Sequence, residues 1–206
     1  MPALSAPAQH ACVGPNAILQ LAHALDSRGG PTLTAAVFAH AGLTARLATP
    51  PTRMVPETEV ARLNAAVATL LPDTAAADTL AAAGRHTGAY LLANRIPAPA
   101  RLLLQQLPAL LAAPLLLAAI RRHAWTFAGS GTVTVGCWPR PWIEIAPNTL
   151  AQRGCPWHRA VFGELFRALV HHDCEVAHPY CAARGDARCR FEIVRPPTRG
   201  RCLSNR

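Results

Sequence analysis

The sequence predicts an α+β domain, in which an N-terminal helical layer packs on a roughly five-stranded antiparallel sheet with a C-terminal helix-hairpin metal site. Three observations favour this class. The first 120 residues repeat Leu and Ala at helical spacing, broken by Gly and Pro. Later residues alternate apolar and polar side chains over short runs, which is typical of half-buried strands. Four of the seven cysteines lie between residues 155 and 189.

Composition divides the 206 residues into four segments. Residues 1–14 are rich in Ala and Pro, and residues 195–206 are rich in Pro and Arg, so both are expected to be flexible tails, the second of them basic. Residues 15–95 are expected to form a helical region. Residues 96–194 are expected to form an α+β ligand-binding domain, and this length is enough to bury a substantial core.

The helical region is predicted from its start and stop signals. Asn16 is a candidate cap for a first helix that ends at Gly29-Gly30. A second helix is expected over Thr34–His40. A third begins near Pro56, where acidic residues follow in the first turn and complement the helix dipole. A long Ala-rich helix then runs from about Asp73 to Asn94, and its two glycines suit close helix packing.

The segment 101–120 is nearly all Leu and Ala. Proline residues divide it, and the uninterrupted apolar run of residues 107–120 is shorter than the ~20 residues that span a bilayer. We therefore expect a buried helix pair. Two other interpretations stay open: these side chains line a pocket for a flat apolar ligand, or they make a peripheral membrane contact.

Short alternating runs predict the sheet. Residues 123–127 and 132–138 are expected to pair as a hairpin around a Gly-Ser-Gly turn, and residues 141–145 supply a third strand. A later hairpin around Arg184-Gly185-Asp186 adds two more strands. Glu144 lies between two isoleucines and is expected to face water.

The cysteines of the later hairpin suggest a metal site. Cys181 and Cys189 flank its turn, and opposite residues on paired strands lie about 5 Å apart. Cys155 at a helix start and His178 beside the hairpin complete a tetrahedral ligand set of the kind zinc prefers. Cys174 is a weaker candidate, since an extended strand would hold it about 13 Å from His178. Two alternatives remain, namely buried unliganded thiols and a disulfide between Cys181 and Cys189.

The motif Cys155-Pro-Trp, a helix, and then the run Cys-Ala-Ala-Arg-Gly-Asp-Ala-Arg-Cys-Arg-Phe over residues 181–191 resembles the 4-vinyl reductase domain family. That family includes a bacteriochlorophyll-biosynthesis protein, archaeal proteins, and sensor domains of aromatic-responsive activators. The resemblance covers about the last eighty residues. It implies structural zinc held by Cys155, His178, Cys181 and Cys189, with His178 where the family often has Glu. The helical N-terminal half and the lack of an ATPase or DNA-binding region favour the stand-alone bacteriochlorophyll-pathway member.

One cluster of residues suits a ligand of the resembled pathway. Arginine forks bind carboxylates well, and a neutral imidazole can ligate a central metal ion, so basic residues beside aromatic ones fit a tetrapyrrole with propionates. The alternative interpretation is that the basic residues complement the dipole at the end of a helix and that the tryptophans belong to the core. The predicted ligand-binding residues are Arg121, Arg122, His123, Trp125, Phe127 and Trp138.

Charge and composition exclude several function classes. All twenty basic residues are Arg, so no lysine can serve a P-loop, a Schiff base or general base catalysis. The formal net charge is +9, yet the arginines are scattered, aromatics are few and no nucleic-acid motif appears. An acidic ligand or partner is expected instead. Seven cysteines with no secretory signal favour a reducing cytoplasm.

The functional expectation is a binding module that holds a chlorophyll precursor and delivers it to a pathway enzyme such as magnesium chelatase. The first alternative is an enzyme that reduces a vinyl group of chlorophyllide, as the resembled family's name implies. No GxGxxG opens a helix after a strand, and the cysteines suit one zinc better than an iron–sulfur cluster. An aromatic-ligand sensor is the weaker alternative. A homodimer is the default assembly.

Overall fold

The computed structural model describes residues 11–195 and has the predicted α+β class. Its helices are α1 (Asn16–His40), α2 (Ala45–Ala48), α3 (Glu57–Leu70), α4 (Asp73–Asn94), α5 (Ala98–Gln106), α6 (Ala109–Arg122) and α7 (Pro156–Leu169). Its strands are β1 (Cys12–Val13), β2 (Val55–Pro56), β3 (Thr132–Gly136), β4 (Trp142–Ala146), β5 (Glu175–Tyr180) and β6 (Cys189–Val194). Short 3-10 turns follow α6 at Ala124–Thr126 and β5 at Ala182–Arg184.

The helical region follows its sequence signals closely. Helix α1 is interrupted at Gly29-Gly30, as predicted, because Gly30 adopts φ +69° and ψ −173°. Helices α3 and α4 begin where the proline and acidic residues predicted them. The predicted cap of α1 was wrong, because Asn16 is the first helical residue, Pro15 precedes it, and no side chain caps the helix. Together α1, α3 and α4 enclose one apolar core, whose fully buried side chains include Phe38 and Leu63.

The second core lies between α6, α7 and a four-stranded antiparallel sheet of order β3-β4-β6-β5. Strand β4 pairs with β6 so that Ile143 opposes Phe191 and Ile145 opposes Cys189, and all four side chains are fully buried. The later hairpin is therefore formed as predicted by β5 and β6. It places the sequence-predicted metal ligands next to the start of α7.

The prediction of about five strands was wrong for residues 123–127. This segment continues directly from α6 through a 3-10 turn, and the His123 N–H still donates to the Ala119 carbonyl at 3.1 Å. Phe127 turns inward and meets the Phe162 ring edge-on at 5.7 Å. The segment caps a helix and fills the core, so it forms no ladder, and the main sheet among the described residues has four strands.

The predicted N-terminal tail also ends earlier than residue 14. Val13 is fully buried and pairs with Val55 in a small two-stranded sheet of β1 and β2. The Gly14 N–H donates to the Thr126 carbonyl at 2.7 Å, which ties the segment to the turn after α6. Burial of Val13 thus orders residues that composition alone marks as loose. Residues 1–10, and the basic tail beyond Arg195, lie outside the described residues.

The expected buried helix pair over residues 101–120 is buried on one side only. Helix α6 buries Ala112, Ala113, Leu116, Leu117 and Ile120, while α5 has no buried residue. The leucines on the other side are exposed because no element among the described residues covers them: they are Leu102, Leu103, Leu110, Leu111 and Leu115. Within residues 11–195, no helix has both the length and the apolar character needed to cross a bilayer.

Glu144 differs from the expectation of a side chain facing water, because it is largely covered by arginines. Its carboxylate accepts from Arg190 Nη1 at 2.7 Å and pairs with Arg188 Nε at 3.0 Å. Arg190 also lies over the Trp142 ring, with its guanidinium carbon 4.4 Å from the centroid. On the outer face of the sheet, ion pairs and a cation–π contact of these arginines therefore connect neighbouring strands.

The two halves meet where α4 packs against α7. A Cβ added at Gly84 would contact the Trp157 carbonyl and lie 2.8 Å from the Ala160 Cβ. A Cβ at Gly88 would lie 2.6 Å from the Glu164 Cβ. The two glycines of α4 therefore let the helix backbones approach more closely than any larger residue would permit.

A second junction is made by the Glu57 carboxylate at the start of α3. It accepts hydrogen bonds from the Ser130 N–H at 2.8 Å, from the Ser130 hydroxyl at 2.8 Å and from the Thr149 hydroxyl at 2.7 Å. Burial alone would raise the Glu57 pKa, but these three donors outweigh it and hold the pKa below its ordinary value. Glu57 thus fastens the helical half to the turn before β3.

We predict that Gly84→Val destabilises the protein by about 1–3 kcal/mol, because the added atoms overlap the α7 backbone. The matched control is Ala89→Val, at an exposed position of the same helix, which is expected to cost only the helix propensity of about 0.5 kcal/mol. Urea unfolding followed by circular dichroism measures both. Equal midpoints for the two variants would contradict the close approach of α4 and α7.

We also predict that Glu57→Gln costs about 2 kcal/mol at pH 7, since it removes hydrogen bonds to a buried charged acceptor. The native pKa lies below the ordinary 4.5, so this stabilisation is full above that value and is lost as the pH falls through the native pKa. The stability difference between wild type and the variant should therefore shrink as the pH falls below 4.5 and through the native pKa of Glu57. The exposed Glu175→Gln serves as control, and a stability difference independent of pH would refute the assignment.

Candidate metal centre and adjoining groove

Four side chains from three elements converge at the start of α7. Cys155 immediately precedes α7, His178 lies within β5, Cys181 follows β5, and Cys189 begins β6. Their nitrogen and sulfur donors all lie within 4.8 Å of one another. The structure therefore brings together the four residues that the sequence predicted as ligands, although they span 34 positions of the chain.

The distances between the sulfurs suit a shared cation. Cys155 Sγ lies 3.5 Å from Cys189 Sγ and 3.9 Å from Cys181 Sγ. Two thiolates bound tetrahedrally to one zinc at about 2.3 Å would be separated by about 3.8 Å. A disulfide would need about 2.05 Å, and all three cysteines are free thiols. The arrangement fits a metal site and excludes the disulfide in this structure.

His178 is the fourth member, and its ring nitrogens are both buried without a hydrogen-bond partner. A buried imidazole normally has such a partner, so a ring nitrogen of His178 is available to bind a metal ion. The ring stacks on Phe191, with centroids 4.6 Å apart and planes 10° apart. An irregularity in β5 between Ala177 and Tyr180 shifts the register beside it, as β-bulges do next to functional sites.

The backbone at Cys155 is held in an uncommon conformation. Its φ of +43° and ψ of 54° lie in the left-handed region, and it is the one non-glycine residue with positive φ among residues 11–195. This conformation costs roughly 1–2 kcal/mol for a residue with a Cβ. Gly154 before it has φ +77°, and Pro156 after it opens α7. The turn aims the sulfur at the hairpin.

Hydrogen bonds around the sulfurs favour the thiolate form at one position. The Cys155 thiol is the largest cause of a lowered pKa at Cys189, and the nearby His178 ring and the Ala182 N–H at 3.3 Å act in the same direction. Together they outweigh burial and lower the pKa of Cys189 to about 3. The contact with Cys189, followed by burial, raises the pKa of Cys155 well above its ordinary value. A thiolate at Cys189 is a ligand that a divalent cation binds directly, and such a cation would displace the proton of Cys155 on binding.

Two supporting residues carried no clear signal in the sequence. The Asp186 carboxylate accepts from the Cys181 N–H at 2.7 Å and so fixes the turn of the hairpin. His158, in the first turn of α7, is almost fully buried, and burial lowers its pKa to about 4. Its ring stacks on Phe191 at 5.7 Å, beside His178. The motif Cys-Pro-Trp-His was the one available hint for His158.

Cys174, the weaker candidate, lies outside this cluster. It is buried just before β5 and instead lines a groove of about 620 Å³. One wall of the groove comes from Leu110, Ala113 and Pro114 of α6, and Trp138 lies at its mouth with 87% of its surface exposed. Such a volume falls within the range of small-molecule sites.

Two arginines also line this groove, namely Arg140 beside Trp138 and Arg195 after β6. The groove therefore combines an apolar wall, an aromatic face and two guanidinium groups. These features suit a flat apolar molecule that carries carboxylates.

The six sequence-predicted ligand residues do not share one site. Arg121, Arg122 and His123 are exposed at the last turn of α6, and Trp125 is 60% exposed just beyond it. Phe127 belongs to the core. Of the six, only Trp138 lines the groove, where Pro114 of α6 is also part of the lining. Arg122 lies eight residues after Pro114, which is about 12 Å along the helix axis, so it is remote from the groove.

Two curated relatives cover most of the chain. It is 40% identical over 188 residues to the bacteriochlorophyll synthase 23 kDa chain of Cereibacter sphaeroides, a match that spans 88% of this chain and 90% of the relative. It is 38% identical over 186 residues to the protein of the same name from Rhodobacter capsulatus, spanning 88% and 86% respectively. No protein-family model matches the chain, so the resemblance to the 4-vinyl reductase domain stays a prediction.

Solved structures show the fold at low sequence identity. An H-NOX protein from S. oneidensis in the Fe(II)NO ligation state superposes with a TM-score of 0.56 at 11% identity, covering 90% of this chain and 100% of that one. An unliganded Fe(II) H-NOX variant from K. algicida gives 0.59 at 12%, covering 90% and 98%. The fold is therefore H-NOX-like, and identity over nearly the whole length places the chain in the family of bacteriochlorophyll synthase 23 kDa chains.

Proposed function

We propose that the protein is a tetrapyrrole-binding and delivery protein of bacteriochlorophyll biosynthesis. It holds a chlorophyll precursor in the groove beside α6 and passes it to a pathway enzyme such as magnesium chelatase. The observation that carries the proposal is the groove itself, whose apolar wall, exposed tryptophan and two arginines match the chemistry of a macrocycle with carboxylates. The names of the two relatives support the pathway.

The ligand would lie with one ring face on α6 and the other against Trp138. A macrocycle is flat and apolar across its face, so Leu110 and Pro114 supply area and Trp138 supplies offset stacking. Propionate groups project from one edge of such a ring, and a guanidinium fork binds a carboxylate with two hydrogen bonds. Arg140 and Arg195 supply those forks, and binding would cover the exposed Trp138.

The Cys/His cluster would hold a structural zinc ion. Three sulfurs and one imidazole supply four donors within 4.8 Å of one another, which is the number and kind of ligands in zinc sites that stabilise a fold. Bound zinc is redox-inert and supplies cross-linking, here between the start of α7 and the β5–β6 hairpin. The Ala182 N–H on Cys189 and the Asn148 amide near Cys155, at 4.0 Å from the sulfur, orient the donors.

The alternative function is reduction of a chlorophyllide vinyl group, which needs a hydride or electron source. The experiment that separates the two titrates purified zinc-loaded protein with a magnesium porphyrin and then assays the mixture for vinyl reduction with NADPH. Tight binding without turnover supports delivery. Turnover by the isolated chain would overturn the delivery proposal in favour of the reductase.

We predict that Cys181→Ser lowers the bound zinc well below one ion per chain and costs about 3 kcal/mol of stability, because an incomplete ligand set releases the hairpin. For a chain of this size, this corresponds to a fall in Tm of about 6–12 °C. Elemental analysis and thermal unfolding measure the two effects. The control is Cys137→Ser, at an exposed cysteine outside the cluster. Unchanged zinc content and an unchanged Tm in Cys181→Ser would contradict the proposal of a structural zinc ion.

We predict that Arg140→Ala weakens porphyrin binding about tenfold, since it removes one carboxylate contact worth about 1.4 kcal/mol. The matched variant is Arg122→Ala, from the sequence-predicted cluster at the other end of α6. Fluorescence titration of both distinguishes the two sites. A loss of affinity confined to Arg122→Ala would move the ligand from the groove to the cluster of Arg121, Arg122, His123 and Trp125.

A further inference from the structure

The solvent-facing side of α5 and α6 is rich in leucine, and its polar members on α5 are Gln105 and Gln106. Its leucine face consists of five leucines that are between 51% and 85% exposed: Leu102, Leu103, Leu110, Leu111 and Leu115. The sequence carries no charged residue between Arg101 and Arg121. Single exposed leucines are common on protein surfaces, but five on two consecutive helices are typical of an interaction site.

The fold does not require these leucines. The inward side of α6 already supplies the core through residues such as Leu116 and Leu117, which are almost fully buried. Polar or charged residues on the outward side would leave that packing unchanged and keep the helix soluble. The five leucines are therefore explained by something that covers them from outside.

The charge around the leucine face has one sign. From Thr79 to Ile143 the sequence contains no acidic residue and six arginines. Arg95 and Arg101 lie at the start of the helix pair, and Arg121 and Arg122 lie at its end. Among the described residues, no ion pair engages these four arginines. An apolar strip between cationic ends complements a surface with an apolar interior and anionic head groups.

Two tryptophans lie beside the same strip. Trp138 shares the groove with Leu110 and is 87% exposed, and Trp125 is 60% exposed just after α6. Tryptophan is enriched where an apolar phase meets water, because its ring is amphipathic. Helices that lie in a membrane interface combine Leu and Trp on one side with Arg at the polar boundary.

We propose that the leucine face docks on an anionic lipid bilayer, with α5 and α6 lying in the interface plane. The leucines enter the boundary between head groups and acyl chains, and the flanking arginines bind lipid phosphates. Neither helix spans the bilayer, in keeping with their lengths of 9 and 14 residues. Because Leu110 and Trp138 also line the groove, docking brings the mouth of the groove to the lipid surface.

A second copy of the chain is a poorer occupant of this face. A two-fold dimer would bring like surfaces together, so the arginines of one protomer would face those of its partner at one end or both. Like charges across an interface disfavour such a contact. An anionic lipid surface instead satisfies the apolar strip and the arginines at once.

The test is co-sedimentation of the full chain with vesicles of phosphatidylcholine alone or with about one third phosphatidylglycerol. We expect at least tenfold stronger partitioning onto the anionic vesicles and a loss of that advantage at high salt. The double variant Leu111→Gln, Leu115→Gln, at two leucines of the face that do not line the groove, is expected to bind the anionic vesicles at least tenfold more weakly. Thermal unfolding confirms that it is folded, and Leu70→Gln, at an exposed leucine of α3, is the matched control.

Each contrary result overturns the proposal in a different way. Equal binding of wild type and the double variant would mean that the net charge alone attracts the lipid. Equal binding to both vesicle types would remove the role of the arginines. Another contrary result is that size-exclusion chromatography shows a dimer for wild type and a monomer for the double variant, with vesicle binding unchanged. In that case the leucine face is an interface with a second copy of the chain. None of these outcomes bears on porphyrin affinity, which is measured without lipid.

Discussion

The convergence of three sulfurs and one imidazole between α7 and the β5–β6 hairpin is the contact on which the functional half of the molecule depends. Helix α7 packs against α4 on one side and against the sheet on the other, so its first turn joins both cores. Cys155 holds that turn in a left-handed conformation that a cysteine adopts only at a cost. A cation shared with the hairpin would offset this cost and fix α7 over the sheet.

The sequence predicted the elements whose boundaries are set by residues within or next to the element itself. Glycine, proline and acidic residues marked the breaks of α1, α3 and α4, whereas Asn16 was wrongly predicted as a cap. Two cysteines around an Arg-Gly-Asp turn predicted the hairpin and the residues that converge beside it. The sequence did not predict hydrogen bonds or packing contacts between residues that are far apart in the chain. Glu57 read as an acid at a helix start, because its donor Ser130 lies 73 positions away in the chain. His158 resembled any other helix residue, since only the fold sets it against Phe191.

Periodicity also says nothing about which sides of a helix are covered. The Leu and Ala residues of α6 fit burial on both sides equally well, so a buried pair was the natural prediction, and only the structure separates Leu117 from the exposed Leu110. Closeness in the sequence also led to a wrong grouping of the ligand-binding residues. Arg122 and Trp125 looked like one ligand site with Trp138, but the strand after them carries Trp138 back toward the start of α6, beside Arg140 and away from both.

The proposal that His178 is the fourth ligand of a metal ion has an electrostatic consequence for the buried cluster. A divalent ion held by three thiolates and the neutral His178 carries one net negative charge, whereas a glutamate in that place would make it two. Each added charge in a low-dielectric interior must be solvated by nearby dipoles. The Ala182 N–H and the Asn148 amide are directed at sulfurs of the cluster, and with His178 as the fourth ligand they would have one negative charge fewer to offset.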